Sequence, residues 1–403
     1  MLLSVSHLYK RFNLEAGFFA RFGRFVNAVN DISFSIGKNQ SYGLAGESGC
    51  GKTTTARMLV RMYEADSGEI LFHQGDTPLN VAALRKEELR QYREKVRYVF
   101  QDPARSLNPR MSVYEVLVSG CRKPLRRRGV TEKELRHKAA VILEEVGLQA
   151  DDLEKRPSEF SGGQRQRISI ARALLMEPDL LICDEVVSAL DVSIQGQILN
   201  LLLDIREKRD MSFLFIAHDL KVACYFCDRI GVMYKGELME EAPAADLYRE
   251  GIHPYTQLLF SSAAGVSEES HAEAQRHKGT ENMEEIKPRR TDVPPAADSL
   301  ELYGDEYIEE NKVARDSRAE FGNYDQNSVP PSLRKINSPH SSALSRLSVV
   351  DSQENASCSF APRCAQATER CFCEHPALCE VSAGHSIRCF NYAAAADLSP
   401  CNP

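Results

Sequence analysis

The chain has 403 residues, a formal net charge of −7, and 43% hydrophobic residues, which is enough for more than one folding unit. It lacks the run of roughly 18 apolar residues that a membrane-spanning helix needs. Its N-terminus also lacks the charged-then-apolar pattern of a secretion signal. The whole formal charge falls within residues 262–355, so the acidity does not mark a binding face. These features indicate a cytoplasmic protein, and no nucleic-acid partner is expected.

Residues 1–260 are predicted to alternate strands and helices, which indicates an α/β fold with a parallel core sheet and helices on its faces. The N-terminal strands are predicted to be antiparallel. Residues 106–175 are predicted to form an inserted helical subdomain, in which Leu135, Ala139, Ile142 and Val146 give Thr131–Val146 helical spacing. The predicted strands are Leu3–His7, Asn30–Ile36, Ser41–Ala45, Glu69–His73, Val96–Phe100, Leu180–Cys183, Ser212–Ala217 and Arg229–Tyr234.

The most informative motif is a P-loop at residues 46–53, Gly-Glu-Ser-Gly-Cys-Gly-Lys-Thr. It lies between the strand Ser41–Ala45 and a helix predicted over Thr54–Met62, which is the context that this motif requires rather than a chance Gly-rich turn. Its backbone N–H groups are expected to bind phosphate, Lys52 to reach the β- and γ-phosphates, and Thr53 to hold Mg²⁺. The predicted ATP-binding residues of the loop are Gly46, Glu47, Ser48, Gly49, Cys50, Gly51, Lys52, Thr53 and Thr54.

An apolar run ending in two carboxylates follows at residues 180–185, Leu-Leu-Ile-Cys-Asp-Glu. Such a run is typical of a buried parallel strand. At its end, Asp184 is predicted to join the Mg²⁺ site and Glu185 to polarise the attacking water. The alternative is an ordinary strand that ends in solvated acids, and the upstream P-loop favours the catalytic interpretation.

A second small-residue turn, Phe-Ser-Gly-Gly-Gln at residues 160–164, opens a helix predicted to run from Gly162 to about Met176. A Ser-Gly-Gly turn at a helix N-terminus is a second potential phosphate cup. One ATP does not need two such cups, but two chains that face head to tail do.

With these motifs, residues 1–260 resemble the ATP-binding subunits of ABC transporters. The resemblance implies that Ser161, Gly162, Gly163 and Gln164 form the signature loop, which acts on the nucleotide of a facing chain. It implies a catalytic and Mg²⁺-sensing role for Gln101, a D-loop at Ser188–Asp191, a switch role at the γ-phosphate for His218, and adenine stacking for Phe12.

Two of these residues keep ordinary alternatives, because His218 after an apolar strand and Phe12 in the core or a lid can both be purely structural. The chain also departs from the family at one position, where Val186 replaces the proline that usually follows the catalytic glutamate. A proline would stiffen that turn. Both carboxylates are nevertheless present, so an active subunit is still expected.

Residues 261–355 are rich in Glu, Ser, Pro and Asn, and they are predicted to form a mostly disordered linker. Its role is either that of a tether or that of a regulatory or docking segment. Seven cysteines then crowd into residues 356–403. Disulfides are not expected in a reducing cytoplasm. This density therefore indicates a small unit held by something other than a core, with a metal centre as the natural alternative.

The tail Cys358-Ser-Phe-Ala-Pro-Arg-Cys364, with its later cysteines, resembles the C-terminal segment of oligopeptide and dipeptide importer ATPases, as does His253-Pro-Tyr-Thr-Gln. The matching cysteines are Cys358, Cys364, Cys371 and Cys389. The resemblance implies four thiolate ligands for a [4Fe–4S] cluster, as in some members, and tetrahedral Zn²⁺ or no metal stays open.

The resemblance implies an ATP-hydrolysing peripheral subunit, bound to the cytoplasmic face of the membrane, that powers import of peptides. It would pair with an identical or related ATPase, two transmembrane permease subunits, contacted through residues 102–125, and an extracytoplasmic substrate-binding protein. The alternatives are import of nickel or another small solute, a soluble ABC ATPase without a transport role, and a non-hydrolysing regulatory subunit.

Overall fold

The computed structural model describes residues 1–13, 25–74, 77–263 and 357–392. The strands in these ranges are β1 (Leu3–Asn13), β2 (Phe25–Ile36), β3 (Ser41–Ala45), β4 (Ser67–Gln74), β5 (Thr77–Asn80), β6 (Val96–Val99), β7 (Leu180–Asp184), β8 (Ser212–Ala217), β9 (Arg229–Tyr234), β10 (Glu237–Pro243), β11 (Cys379–Ser382) and β12 (His385–Ile387).

The helices are α1 (Lys52–Leu59), α2 (Lys86–Lys95), α3 (Pro103–Ser106), α4 (Val113–Val118), α5 (Arg122–Arg127), α6 (Glu132–Glu145), α7 (Gly162–Leu174), α8 (Val192–Arg209), α9 (Leu220–Phe226), α10 (Ala244–Glu250), α11 (Pro254–Ala263) and α12 (Glu369–Cys373). Among the described residues, no helix has both the length and the apolar character needed to cross a bilayer.

The core sheet has the strand order β11-β12-β10-β9-β3-β8-β7-β6. Strands β9, β3, β8, β7 and β6 run parallel, whereas β10, β12 and β11 pair antiparallel at one edge. Side chains alternate along each strand, so Phe213 and Phe215 of β8 pack on one face while Leu214 and Ile216 pack on the other. Both faces are buried, which explains the continuous apolar runs of the central strands.

A separate antiparallel sheet, in the order β2-β1-β4-β5, is formed by the early strands. Helices α3–α7 form the subdomain between β6 and β7, where α7 packs against α3, α4 and α6. In α6 the predicted positions Leu135, Ala139 and Ile142 are buried, together with Leu143. The predicted α/β fold, with its parallel core, antiparallel N-terminal strands and inserted helices, is therefore confirmed.

The C-terminal segment, residues 357–392, is part of the same core. Strand β12 pairs with β10, and Phe360, which is 2% exposed, packs in the same apolar cluster as the core sheet. The sequence predicted a unit held by something other than a core, and the difference arises because β10 offers an edge that the sequence pattern did not reveal. The predicted linker lies outside the described residues except at its start, where α11 continues to Ala263.

Candidate nucleotide-binding site

The phosphate-binding loop follows β3 and leads into α1. Gly46 has a φ of +143° and Gly51 a φ of +109°, and a Cβ at either position would lie 2.2 Å from a backbone oxygen. Only glycine therefore allows this path. Lys52, which is 4% exposed, donates from Nζ to the carbonyls of Gly46 at 2.6 Å and Glu47 at 2.9 Å. The curled loop and the N-terminus of α1 provide the N–H nest and the lysine that bind a triphosphate.

Beside this loop, a buried carboxylate stands at the end of β7. Thr53 donates its hydroxyl to Asp184 Oδ1 at 2.9 Å, and the Tyr98 hydroxyl donates to Asp184 Oδ2. Burial and the neighbouring carboxylate raise the pKa of Tyr98, so this phenol stays a donor. A hydroxyl and a carboxylate in contact are hard oxygen ligands of the kind that Mg²⁺ takes from proteins, with phosphates and waters filling its other positions.

Glu185 directly follows β7 and turns away from the direction of that strand. Its φ of +48° is left-handed, and its amide donates to the Ile216 carbonyl at 3.1 Å. Its side chain is half-buried, and Gln101 Nε2 donates to Glu185 Oε2 at 2.6 Å. This conformation costs about 1–2 kcal/mol for a residue other than glycine, and it brings the Glu185 carboxylate to the Gln101 amide.

His218 directly follows β8, the strand between β3 and β7 in the sheet. Its imidazole is exposed. The next residue, Asp219, caps α9 by accepting from the amides of Lys221 and Val222. Because the carboxyl ends of adjacent parallel strands meet at one edge, the P-loop, Gln101, Asp184 and His218 share the edge where α/β sheets bind ligands.

Phe12 lies in β1 of the antiparallel sheet and is half-buried. Its ring packs edge-on against Tyr63 at 5.4 Å between centroids, and Lys10 Nζ lies 5.4 Å from the ring centre. Its stacking role on adenine stays a prediction.

The signature loop belongs to the helical subdomain. Ser161 is the N-cap of α7, with its hydroxyl accepting from the Gln164 amide, and Gln164 returns a side-chain bond to the Ser161 amide. Both residues are exposed. A Cβ on Gly163 would lie 2.6 Å from Ile194 of α8. The loop is therefore packed against the helix that follows the D-loop.

The D-loop connects β7 to α8. Ser188 donates its hydroxyl to the Glu185 carbonyl at 2.9 Å, and exposed Asp191 is the N-cap of α8. Val186 is 2% exposed and fills the core in place of the family's proline. The predicted D-loop is thus joined directly to Glu185, the predicted catalytic glutamate.

The four predicted thiol ligands all lie in the C-terminal segment. Cys358 and Cys371 are buried while Cys364 and Cys389 are half-buried, and the Cys358 amide donates to the Cys371 carbonyl at 2.9 Å. Burial raises the pKa of Cys389 to about 11, with smaller contributions from the other three thiols. However, no three histidine, cysteine or acidic side chains of the described ranges are arranged to hold a metal ion.

Comparison with known proteins agrees with this geometry. The family model for ABC transporters matches residues 29–188, and the model for the oligopeptide/dipeptide transporter C-terminal region matches residues 239–289 and 328–371. The oligopeptide transport ATP-binding protein OppF of Bacillus subtilis is 45% identical over 65% of this chain and 82% of its own length. A putative peptide import ATP-binding protein of Brucella ovis is 42% identical over 69% and 83%.

The chain belongs to the oligopeptide/dipeptide family of ABC transporter ATP-binding proteins.

Solved structures of ABC ATPases share the fold. The protein cbiO1 from Clostridium perfringens, part of the ABC transporter complex cbiONQ, matches with a TM-score of 0.52 and 26% identity, covering 62% of this chain and 91% of that one. A dimeric post-hydrolysis state of an ATP-binding cassette bound to ADP and Pi matches with a TM-score of 0.52 and 25% identity, covering 60% and 99%.

The family models reach most of the predicted residues. The ABC transporter match spans the P-loop, Gln101, the signature loop and both carboxylates, and it ends at Ser188. The C-terminal match includes Cys358, Cys364 and Cys371, whereas Cys389 lies beyond it. The first match therefore supports the ABC ATPase assignment, and the second supports the oligopeptide/dipeptide family.

Three side chains that contact the site were missed by the sequence interpretation. Tyr98 bonds to Asp184, Tyr255 accepts from the Glu47 amide at 2.9 Å, and Arg363 pairs with the Glu47 carboxylate. Tyr255 and Arg363 belong to the sequence patterns that suggested this ABC transporter family, so a signal existed. Their contacts span 208 and 316 residues of sequence, and no pattern gives such pairings.

Proposed function

We propose that this protein is the ATP-hydrolysing subunit of an ABC importer for peptides. The observation that carries the proposal is the meeting of the P-loop, the Thr53–Asp184 contact and the Gln101–Glu185 contact at one edge of the core sheet. The match to the oligopeptide/dipeptide C-terminal region supports peptides as the cargo.

In this mechanism the residues act mainly by positioning charge. The N–H groups of the loop and Lys52 bind the phosphates. Thr53, Asp184 and Gln101 would hold Mg²⁺, which would neutralise negative charge on the bound phosphates. Glu185 accepts a proton from the attacking water and orients it, and His218 donates to the γ-phosphate.

Two subunits, identical or related, enclose two nucleotides in our proposal. The Ser161-Gly162-Gly163 turn lies at the N-terminus of the 13-residue helix α7 with Ser161 exposed, and it has the polarity to cap a triphosphate bound by the facing chain. Closure of the two subunits on ATP and their reopening after hydrolysis then shift the transporter between its two access states.

We place the protein on the cytoplasmic face of the membrane, with two permease subunits and an extracytoplasmic substrate-binding protein as partners. A surface cavity of about 520 Å³ supports residues 102–125 as the permease contact. It lies beside the helical subdomain, and its lining includes Arg93, Arg97, Met111, Glu115 and Arg122.

A [4Fe–4S] cluster bound by Cys358, Cys364, Cys371 and Cys389 is a finer part of the proposal, with Zn²⁺ as the alternative. The other three thiols each contribute to raising the pKa of Cys389, and this proximity supports the proposal, whereas among the described residues their arrangement does not form a ligand set by itself. Anaerobic purification followed by absorption near 400 nm and assays of iron, sulfide and zinc would distinguish cluster, zinc and neither.

The function is tested by reconstituting the subunit with its permease partners and substrate-binding protein in vesicles. We expect ATP-dependent uptake of labelled peptides and none with the Glu185→Gln variant. Uptake of Ni²⁺ but not of peptides would assign the cargo to the small-solute alternative. ATP turnover that never responds to any permease would support the non-transport alternative.

A further inference from the structure

Glu47, the second residue of the phosphate-binding loop, has all its polar groups engaged by other residues. Its amide donates to the Tyr255 hydroxyl at 2.9 Å, and its carbonyl accepts from Lys52 Nζ at 2.9 Å. Its two carboxylate oxygens accept hydrogen bonds from the two terminal nitrogens of Arg363, at 2.9 and 2.8 Å. The loop therefore contacts α11 through Tyr255 and the C-terminal segment through Arg363.

Arg363 is itself held in place by two aromatic rings. Its guanidinium lies 5.7 Å from the Tyr234 ring centre and 5.9 Å from that of Phe360. Phe360 packs on Tyr255 and Tyr234, each at 5.3 Å between centroids. A planar fork held over two rings binds a carboxylate with defined geometry, which a flexible surface lysine does not.

The pair also matters for charge. Glu47 places a carboxylate next to the loop that binds a highly charged triphosphate, and an unpaired carboxylate there would repel the ligand. The hydrogen bonds to Glu47 come first among the causes that raise the pKa of Arg363, so the arginine stays protonated as its partner. Arg363 thus both neutralises Glu47 and fixes the residue whose carbonyl holds Lys52.

We propose that the C-terminal segment completes the nucleotide site in cis, with Arg363 acting as a positioning residue of the phosphate-binding loop through Glu47. This inference deepens the proposed function and rests on ATP binding at the loop.

The test measures the ATP affinity of the full-length protein with a fluorescent ATP analogue, together with KM and kcat for hydrolysis. Both side chains are more than 40% exposed, so a modest effect is expected. Arg363→Gln should weaken ATP binding roughly twofold to fivefold. The kcat at saturating ATP should change less than twofold, because Arg363 touches neither the water nor the γ-phosphate. The loss should shrink at high salt, and Arg363→Lys should lie between Arg363→Gln and the parent.

A double-mutant cycle with Glu47→Gln provides the decisive control. In the Glu47→Gln background, which lacks the carboxylate, Arg363→Gln should have little further effect on ATP affinity. If Arg363→Gln disturbs the C-terminal segment, the ATP affinity of Glu47→Gln alone still measures the loss of the pair. Arg370→Gln is the matched control, because Arg370 pairs with Glu374 within the same segment. Equal ATP affinity of Arg363→Gln and the parent, or an equal loss in the Glu47→Gln background, overturns the inference. Failure of the parent to bind ATP would instead overturn the proposed function.

Discussion

The nucleotide-binding edge and the C-terminal segment both assemble residues from distant parts of the sequence, but they are held together differently. At the edge, functional residues follow adjacent parallel strands, and the register of the sheet fixes them. In the segment, β12 pairs with β10 at only two positions, Glu240 with Ile387 and Glu241 with Ser386. Side-chain contacts add to this attachment, because His375 hydrogen-bonds to Glu237 and His385 to Glu240.

Because the two regions are held together differently, substitutions in them should have different effects on catalysis and on folding. Side chains at the edge project from a scaffold whose backbone bonds do not depend on them, so their loss should remove chemistry and leave folding intact. Side chains of the segment are its attachment, so their loss should first remove structure.

The largest effect is expected from Glu185→Gln, which keeps an acceptor for Gln101 but removes the base. We expect hydrolysis to fall by about 10³-fold, with ATP affinity and unfolding free energy close to the parent values. Phosphate release and equilibrium ATP binding check this. Glu207→Gln, at an exposed site on α8, should hydrolyse ATP normally. Turnover above a tenth of the parent rate in Glu185→Gln would show that another group activates water.

The segment should respond in the opposite way to Phe360→Ala. Phe360 is 2% exposed and packs on Tyr234, Tyr255 and His253, so truncation should destabilise its packing by about 3–5 kcal/mol. Hydrogen exchange should rise across residues 357–392 and remain low in β3, β7 and β8. Phe372→Ala, at a ring that is 57% exposed, should change stability by less than about 0.5 kcal/mol. Unchanged exchange in Phe360→Ala would show that the segment is held elsewhere.

Acidification should loosen the same region. Burial lowers the pKa of His253 from 6.5 to about 4, opposed by Glu240 and by a backbone bond involving Arg388. Between pH 6.5 and about 4, the His253 imidazole binds a proton in the unfolded chain but stays neutral in the folded chain. Stability is therefore full above pH 6.5 and falls by about 3 kcal/mol as the pH drops to about 4.

The paired glutamates extend this loss to lower pH. Burial opposes the charge of Glu237 and Glu240, but hydrogen bonds, first those from His375 and His385, outweigh it and hold each pKa below 4.5. Their contribution is present above pH 4.5 and is lost on further acidification. Urea unfolding at several pH values measures both parts. His253→Asn should flatten the curve between pH 6.5 and 4, whereas His137→Asn, at an exposed site on α6, should not. An unchanged slope in His253→Asn would assign it to other groups.

The same contrast explains what the sequence could and could not predict. Strand β3, the P-loop, Asp184 and α7 were predicted because each is a local pattern of apolar runs, glycines and caps. The strand β10 was missed because its glutamates interrupt the apolar pattern. Two of them, Glu237 and Glu240, are buried with hydrogen-bond partners that include histidines more than 100 residues away. Arg363 was read only as part of a cysteine motif, since its partner Glu47 lies 316 residues earlier.

The smallest effects on activity and stability are expected at two equivalent helix caps, only one of which is proposed to contact the nucleotide. Ser161 caps α7 and Thr131 caps α6, and in each the hydroxyl accepts from an amide three residues on at 3.3 Å. Alanine at either position should cost about 1 kcal/mol of stability. Ser161→Ala also removes the hydroxyl proposed to contact the facing chain's triphosphate, so steady-state hydrolysis should fall about tenfold. Thr131→Ala should hydrolyse ATP at the parent rate, because α6 starts at a cap with no proposed ligand. Equal hydrolysis by the two variants would mean that the Ser161 hydroxyl serves only as a helix cap.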